Sequence, residues 1–358
     1  MYENIIKPNM FVKKKIINVG YGRTTLRDMY ATGNMSSRLF YGLIELEDKY
    51  EVEQVSYDSR ATLFGLLKSN LRVLRKCDFV YMTYLYEQPL ILVSLLRALG
   101  LFRHRKILAI SHKQLKTGYS TFSRFIYRLV YKHIDMFFFH SQQNLDDSVA
   151  LGLVDRPRTK FFYWGDELAY VDRTYQMSMG DFFISTGREN RDFDLMINAF
   201  SKTNAKLELY TNRINYCNNY EALEAYQNKY PNVNIQFVDK SNDTTLRLAQ
   251  RTAECRCVMI PLMKNHVNYC VGLTSIIEAM AMCKPIISSP NPYSPVDIAK
   301  EKIGIVADSL EDWIAAIQFM QDHPDEAEAM GKRARLLAEG LYNINSTANL
   351  LDEVLQSL

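Results

Sequence analysis

Two arginines stand three positions apart near the start of a predicted helix in the second half of the chain. The segment Gly187-Arg188-Glu189-Asn190-Arg191 follows an apolar strand pattern. Guanidinium groups at such a turn can both bind the oxygens of a diphosphate and neutralise the charge that develops on a leaving group. The alternative is an ordinary surface turn with two solvated arginines. Arg188 and Arg191 are therefore candidate catalytic and diphosphate-binding residues.

A glycine turn further along the chain is a second candidate site. Gly272-Leu273-Thr274 opens a predicted helix, and Glu278 lies one turn into it. The free N–H groups of a first helical turn bind anions, and a carboxylate just beyond them can accept both hydroxyls of a ribose. The segment suits a nucleoside diphosphate. The alternative is a plain strand–helix–strand unit in which Glu278 only complements the helix dipole.

Short apolar segments alternate with helical patterns along the chain, which is typical of a parallel sheet covered by helices. The pattern starts with a strand at 15–20 and restarts after about Asp172, so two consecutive doubly wound units are predicted. In the first unit, one helix from Ser36 or Ser37 to about Lys49 is expected. Ligands of open α/β sheets bind beyond the carboxyl ends of the strands, so the chemistry is expected in a cleft between the units.

The order of motifs in the second half resembles one family. From Phe182 to about Leu351 the chain resembles the donor domain of the retaining glycosyltransferases of family 4, which have the two-domain GT-B fold. The matching segments are Gly187-Arg188 with Arg191, Asn232-Val233-Asn234-Ile235-Gln236-Phe237-Val238, Val258-Met259-Ile260-Pro261, Glu278-Ala279-Met280-Ala281-Met282-Cys283-Lys284-Pro285 and Gly304-Ile305-Val306-Ala307-Asp308.

The resemblance implies an α/β fold with two Rossmann-like domains facing across a cleft. The expected domains are 1–172, which would bind the acceptor, and 180–340, which would bind the donor. A C-terminal helix at about 341–358 is expected to pack back on the first domain.

The resemblance also implies the parts of a donor site for a UDP- or GDP-linked sugar. Arg188 and Arg191 would contact the diphosphate, and Glu278 the ribose. The backbone of three residues would cradle the phosphate and the sugar: Gly272, Leu273 and Thr274. The family usually has another glutamate eight residues before Glu278, where this chain has Cys270.

The expected function is a retaining, metal-independent transfer of a sugar to a lipid-linked or saccharide acceptor, in cell-surface polysaccharide or glycolipid synthesis. Cys270 leaves an alternative open, in which the protein binds a nucleotide sugar or serves as a partner subunit without transferring the sugar. A sugar-nucleotide epimerase is a further alternative, but the paired histidines and acids that its chemistry needs are not evident.

The first half matches the family less closely. Gly20-Tyr21-Gly22 has Thr25 where a dinucleotide fingerprint has its third glycine, so NAD binding is disfavoured. Gly33-Asn34-Met35-Ser36-Ser37-Arg38 resembles the family's glycine loop, so Gly33 is expected near the donor phosphate. His112 follows a strand and stands where many relatives have a histidine near the transferred sugar. Its imidazole could bind a sugar hydroxyl or assist a proton transfer, although a structural role is the alternative.

Charge is distributed unevenly between the halves. Residues 1–170 carry 25 Lys/Arg against 16 Asp/Glu, whereas 171–358 carry 18 against 24. Between Gln88 and Ile134 there are nine basic residues and no acid, which indicates an anionic partner. The candidate membrane or acceptor patch comprises Arg103, Arg105, Lys106, Arg124, Arg128 and Lys132. The alternative is a core helix over 118–133, in which the long cationic side chains extend along the apolar surface and place their charged ends in water.

Several other classes are disfavoured. The six scattered cysteines fit a reduced cytosolic protein, and no cluster has metal-ligand spacing. Asp192-Phe193-Asp194 is at a predicted helix start, where acids cap amides, so no metal site is expected there. No nucleic-acid motif, signal peptide or membrane-spanning run is evident. We expect a cytoplasmic protein that binds peripherally to the inner face of the plasma membrane.

Overall fold

The computed structural model describes most of the 358 residues. The described ranges are 13–58, 60, 62–85, 87–118, 120–187, 189–212, 220–227, 229–239, 241–264 and 270–358.

The first half folds around a parallel sheet of six strands in the order β2-β1-β3-β4-β5-β6. Its strands are β1 Lys15–Gly20, β2 Glu51–Ser56, β3 Phe79–Met82, β4 Lys106–Ser111, β5 Met136–Phe139 and β6 Thr159–Phe161. Its helices are α1 Arg23–Ala31, α2 Leu63–Lys76, α3 Glu87–Ala98, α4 Thr121–Lys132, α5 Gln142–Ala150 and α6 Leu168–Thr174. Apolar runs such as Phe137-Phe138-Phe139 are buried on both faces, as a helix-covered parallel sheet requires.

The second half repeats the architecture with the strand order β12-β11-β10-β7-β8-β9. Its strands are β7 Phe182–Ser185, β8 Lys206–Thr211, β9 Val233–Phe237, β10 Cys257–Ile260, β11 Ile286–Ser288 and β12 Gly304–Val306. The helices are α7 Phe193–Phe200, α8 Tyr220–Tyr226, α9 Asn242–Glu254, α10 Leu273–Ala281, α11 Leu310–Asp322, α12 Pro324–Gly340 and α13 Ile344–Ser357. The strand order reverses between β7 and β10, which is where open α/β sheets bind ligands.

The single helix expected from Ser36 or Ser37 to Lys49 is wrong. Two short 3-10 turns, Ser37–Phe40 and Ile44–Leu46, take its place. They are separated by Tyr41 and Gly42, which both have positive φ, 53° and 87°. The left-handed backbone interrupts the helix because Gly42 lies against the backbone of Ala348 in α13, leaving no room for a side chain. The sequence pattern also did not indicate α1, α2 or α6.

Helix α13 contacts the first unit. The Asp352 carboxylate accepts hydrogen bonds from Lys49 Nζ at 2.7 Å and from Tyr50 Oη at 2.9 Å. At the start of α13, Ile344 N donates to the carbonyl oxygen of Asp166 at 3.0 Å. The chain therefore crosses back from the second unit to the first, although the exact domain boundaries stay a prediction. No helix in the described ranges has both the length and the apolar character needed to span a bilayer.

Candidate active site

A large cavity lies between the two sheets and is lined by residues from both units. Its volume is about 1160 Å³, which exceeds the ~300–1000 Å³ typical of a site for one small molecule. The first unit contributes the ends of β3 and β4, including Tyr84 and His112. The second contributes the turn after β7, the end of β8 and the start of α10. Carboxyl ends of strands from both sheets therefore face the same cavity.

Arg191 is the most buried cation of this cavity. It is only 6% exposed, and its backbone pairs with Leu262 just beyond β10. Its Nη1 donates to the carbonyl oxygen of Glu189 at 2.7 Å, while Nε has no partner among the described residues. Burial lowers the pKa of Arg191 to about 10, and no carboxylate of the described residues forms an ion pair with it. The negative charge of Glu189 acts in the opposite direction but does not offset the burial, so an anion bound here would stabilise the guanidinium.

Helix α10 presents its N-terminus to the same cavity. Gly272 caps the helix with φ 87°, and no side chain caps the first turn. Leu273 N donates to the carbonyl oxygen of Cys270 at 3.2 Å and Ile276 N to that of Gly272 at 3.0 Å, so the amides of Thr274 and Ser275 lie between these two bonds. Thr274 and Gly272 line the cavity, whereas the side chain of Leu273 is buried in the core. The backbone of Arg191 pairs with that of Leu262, whose side chain lies close to the position that a β-carbon would take at Gly272, so the main chain at Arg191 is near the helix terminus.

Glu278 lies on the cavity side of α10, and an arginine of the first unit contacts it. Arg38 Nη2 is 2.6 Å from Glu278 Oε1, and Nη1 is 2.8 Å from Asp166 Oδ2. Arg38 stands at the end of the predicted glycine loop, but the sequence did not indicate a role for it. Its position could have indicated a role, because Arg38 is a cation at the end of a loop that was expected to lie near the donor phosphate.

His112 reaches the cavity from the end of β4 within an aromatic cluster. Its ring stacks on Tyr84 with centroids 4.7 Å apart, and Nε2 lies 3.4 Å from Tyr41 Oη. Burial lowers the pKa of His112 to about 4, so the imidazole is neutral near pH 7.

His140, which has no role in the sequence-based expectations, lies 5.0 Å from the His112 ring, centroid to centroid. Its Nδ1 donates to the carbonyl oxygen of Phe162 at 2.8 Å, and burial lowers its pKa to about 3. Both histidines are therefore neutral in the folded protein near pH 7.

The remaining candidates lie in different places. Gly33 is in an exposed turn with φ 73° and does not line the cavity, although the next residue, Asn34, does. Cys270 borders the cavity, where its Sγ is 3.8 Å from Asn144 Nδ2 of the first unit. Burial raises the pKa of this thiol to about 12, so it carries no charge comparable to a glutamate. Arg188 lies outside the described residues.

The six basic patch residues do not form one surface. Arg105 pairs with Asp78 at 3.0 Å, and Lys106 is 3.8 Å from Asp135. Together with Arg103 they lie where β4 begins, at the end of the sheet opposite the cavity, and Lys132 ends α4 on that same side. Arg124 and Arg128 are exposed on α4, and Arg124 is near its cavity end.

The expectation for Asp192 agrees with the structure, where its carboxylate accepts a hydrogen bond from Leu195 N at 3.0 Å and caps α7. Within the described ranges, no group of three or more His, Cys, Asp or Glu side chains is placed to hold a metal ion.

Comparison with solved structures identifies the architecture. A glycosyltransferase of Rickettsia africae superposes with a TM-score of 0.68 at 13% identity, covering 97% of this chain and 99% of that chain. The Anabaena protein Alr3699/HepE, solved with UDP-glucose, has a TM-score of 0.66 at 13% identity and covers 96% and 100%. The chain has the GT-B fold. The UDP-GlcNAc 2-epimerase of Neisseria meningitidis, bound to UDP-GlcNAc, is also similar, with a TM-score of 0.56 at 10% identity over 96% and 100%.

No protein-family model matches the chain, and no curated protein is significantly similar to it. Structural likeness at these low identities shows the fold alone. The expectation of two Rossmann-like domains is confirmed, whereas membership of family 4 and the stereochemistry of transfer stay predictions.

Proposed function

We propose that the protein is a retaining glycosyltransferase that takes a sugar from a UDP-sugar donor. The observation that carries the proposal is that the buried guanidinium of Arg191, which forms no ion pair with a described carboxylate, and the uncapped N-terminus of α10 line the same cavity. A diphosphate satisfies both groups, since it neutralises the cation and accepts hydrogen bonds from the amides. UDP is the favoured nucleotide because the structures of similar fold were solved with UDP, UDP-glucose or UDP-GlcNAc.

The other donor contacts follow from the lining of the cavity. Glu278 would accept the ribose hydroxyls one turn beyond the amides. Tyr210, Val238 and Leu248 line the cavity beyond β8 and β9 and offer an apolar strip for the base. Arg188, three positions before Arg191 in the sequence, would add a second positive charge to the diphosphate.

In the proposed reaction, the bond between the sugar and the diphosphate breaks as negative charge grows on the leaving phosphate. Arg191 and the amides of α10 stabilise that charge, which lowers the barrier because the attraction is strongest in the transition state. The departing phosphate oxygen takes the proton of the acceptor hydroxyl, and the acceptor oxygen forms its bond to the anomeric carbon on the face that the phosphate leaves, so the configuration is retained. Neutral His112 would hydrogen bond to a sugar hydroxyl, and no step requires a metal ion.

The acceptor would bind to the first unit. Its part of the cavity is lined by apolar side chains of α3 and α4 and also by Lys113 and Lys116. An acceptor with an anionic head and an apolar tail fits this arrangement. We propose a lipid-linked acceptor that the enzyme reaches as a peripheral protein at the membrane surface.

The first test measures ligand binding by calorimetry and thermal shift with UDP, GDP and ADP. UDP should raise the melting temperature most, because binding to the native state alone stabilises it by mass action. Arg191→Ala should weaken UDP affinity by about 10- to 100-fold, since a charged hydrogen-bonded contact is lost. Arg333→Ala is the control, because this arginine lies on α12 and does not line the cavity. Equal UDP affinity in the Arg191 variant contradicts the proposal.

The second test distinguishes sugar transfer from nucleotide-sugar binding without transfer and from epimerisation. UDP-sugars are incubated with and without lipid-linked or saccharide acceptors, with EDTA present, and products are followed by NMR. Acceptor-dependent release of UDP with retained anomeric configuration supports the proposal. Binding without turnover supports a protein that only holds the nucleotide sugar, and conversion of the donor without acceptor supports an epimerase. Arg191→Ala should reduce turnover by about a hundredfold or more.

A further inference from the structure

Arg38 links the two units at the point where the ribose is proposed to bind. It belongs to the short turn Ser37–Phe40, whose main chain is held by a hydrogen bond from Trp164 Nε1 to the Arg38 carbonyl oxygen at 3.0 Å. The guanidinium is mostly buried and forms ion pairs with two carboxylates. One, Asp166, belongs to the same unit, and the other, Glu278, lies across the cleft.

Asp166 fixes the position of the Arg38 side chain within the first unit. It is only 3% exposed, and its Oδ1 accepts hydrogen bonds from Ser36 Oγ at 2.7 Å and from Glu167 N at 2.9 Å. Its Oδ2 is left for Arg38. An ion pair that is buried and hydrogen bonded on both oxygens has little freedom to move. Arg38 is therefore presented to the cleft in a fixed direction.

Glu278 has one oxygen engaged and one available. Oε1 is 2.6 Å from Arg38 Nη2, while Oε2 accepts no hydrogen bond from the described residues. Burial lowers the pKa of Arg38, but attraction to Asp166 and Glu278 outweighs it and raises the pKa overall. The arginine thus stays charged and offsets the repulsion that an ionised Glu278 would experience beside a diphosphate.

We infer that Arg38 is a positioning residue that orients the Glu278 carboxylate from across the cleft, so that selection of a ribose depends on the first unit. The inference rests on the proposed function, because it assigns Glu278 to the ribose hydroxyls. The second unit alone holds the diphosphate, whereas the ribose contact is completed only when the first unit is in place.

The test compares two nucleotides, UDP and 2′,3′-dideoxy-UDP, by calorimetry. The wild-type protein should prefer UDP by about 10- to 100-fold, the value of hydrogen bonds to a charged group. Arg38→Ala and Glu278→Gln should each bring the ratio close to one. The double variant should lose no more than either single variant, because both remove the same interaction. Arg38→Lys should give an intermediate ratio, since an ammonium group cannot hold two carboxylates in one plane.

Arg27→Ala is the matched control, because Arg27 is an ion-paired arginine of the same unit that does not line the cavity. It should keep the wild-type ratio. A wild-type protein that binds UDP without preferring it over the dideoxy nucleotide contradicts the ribose role of Glu278 and thus that part of the proposed function. A wild-type preference that persists unchanged in Arg38→Ala overturns the inference alone. If Arg38→Ala does not fold, Arg38→Lys is measured in its place. A wild-type preference for UDP over the dideoxy nucleotide in Arg38→Lys then overturns the inference.

Discussion

Gly187 lies directly against the guanidinium group of Arg191. A β-carbon at position 187 would collide with Nε and Nη2 of this side chain. The arginine folds back beneath the turn that follows β7, where Nη1 donates to the carbonyl oxygen of Glu189. The glycine is therefore required because a cation occupies the space under the turn.

Gly187→Ala should displace the Arg191 guanidinium and weaken UDP binding by about tenfold or more, since a hydrogen-bonded charge contact is misplaced. The melting temperature should change little, because the displaced group is the end of a flexible side chain. Calorimetry with UDP and a thermal scan measure the two effects. Gly340→Ala is the control, since nothing lies near its β-carbon position. Wild-type affinity in Gly187→Ala would show that the guanidinium does not contact the ligand.

Gly165→Ala should destabilise the fold. A β-carbon at position 165 would collide with the backbone of Tyr342 and Asn343, where the chain returns to the first unit. Backbone cannot move aside as a side chain can, so we expect a loss of about 3 kcal/mol or more in the free energy of unfolding. Urea denaturation measures it, with Gly340→Ala again as the control. A loss no greater than that of the control contradicts the close crossing.

The free energy of unfolding should fall as the pH falls below about 6.5. The pKa of His112 is lowered to about 4, and that of His140 to about 3, from an ordinary value of 6.5. Between these values the unfolded chain binds protons that the folded protein does not, so stability rises with pH across this window. Each histidine contributes a slope of up to about 1.4 kcal/mol per pH unit.

Urea denaturation between pH 5 and 7.5 checks this prediction. His112→Gln should remove about half of the slope that the two histidines supply. His104→Gln is the control, because it makes the same substitution at an exposed histidine away from the cavity. Equal slopes in the wild type and His112→Gln would mean that His112 titrates normally in the folded protein.

The first turns of α4 should contact an anionic membrane. Phe122 and Phe125 are 74% and 61% exposed, lie on one side of the helix and flank Arg124. Vesicle flotation should depend on anionic lipid, and Phe122→Ser with Phe125→Ser should lower the bound fraction several-fold. Leu336→Ser is the matched control, since Leu336 is 66% exposed on α12 of the second unit. Flotation that is independent of anionic lipid, or an equal loss in the control, contradicts the membrane surface.

The regular elements of the second half were predictable because their signals are local. Helix α10 begins directly after Gly272, and α12 begins at Pro324 and ends at Gly340. Proline and glycine act on the backbone of their own segment, so no tertiary contact is needed to recognise them. The segment after Ser36 was not predictable, since Gly42 has its conformation because α13, about three hundred residues away, packs against it.

The residue types and their order along the chain determined the two doubly wound units, the glycine turn before Glu278 and the arginine pair at 188 and 191. Only the tertiary structure determines which other groups these residues contact. It buries Arg191 without an ion pair to a described carboxylate, and it places Arg38 on Glu278 although 240 positions separate them. It also divides the basic residues of 88–134 between opposite ends of one sheet. Local sequence carries backbone preference, whereas the pairing of charges depends on distances that only the folded chain creates.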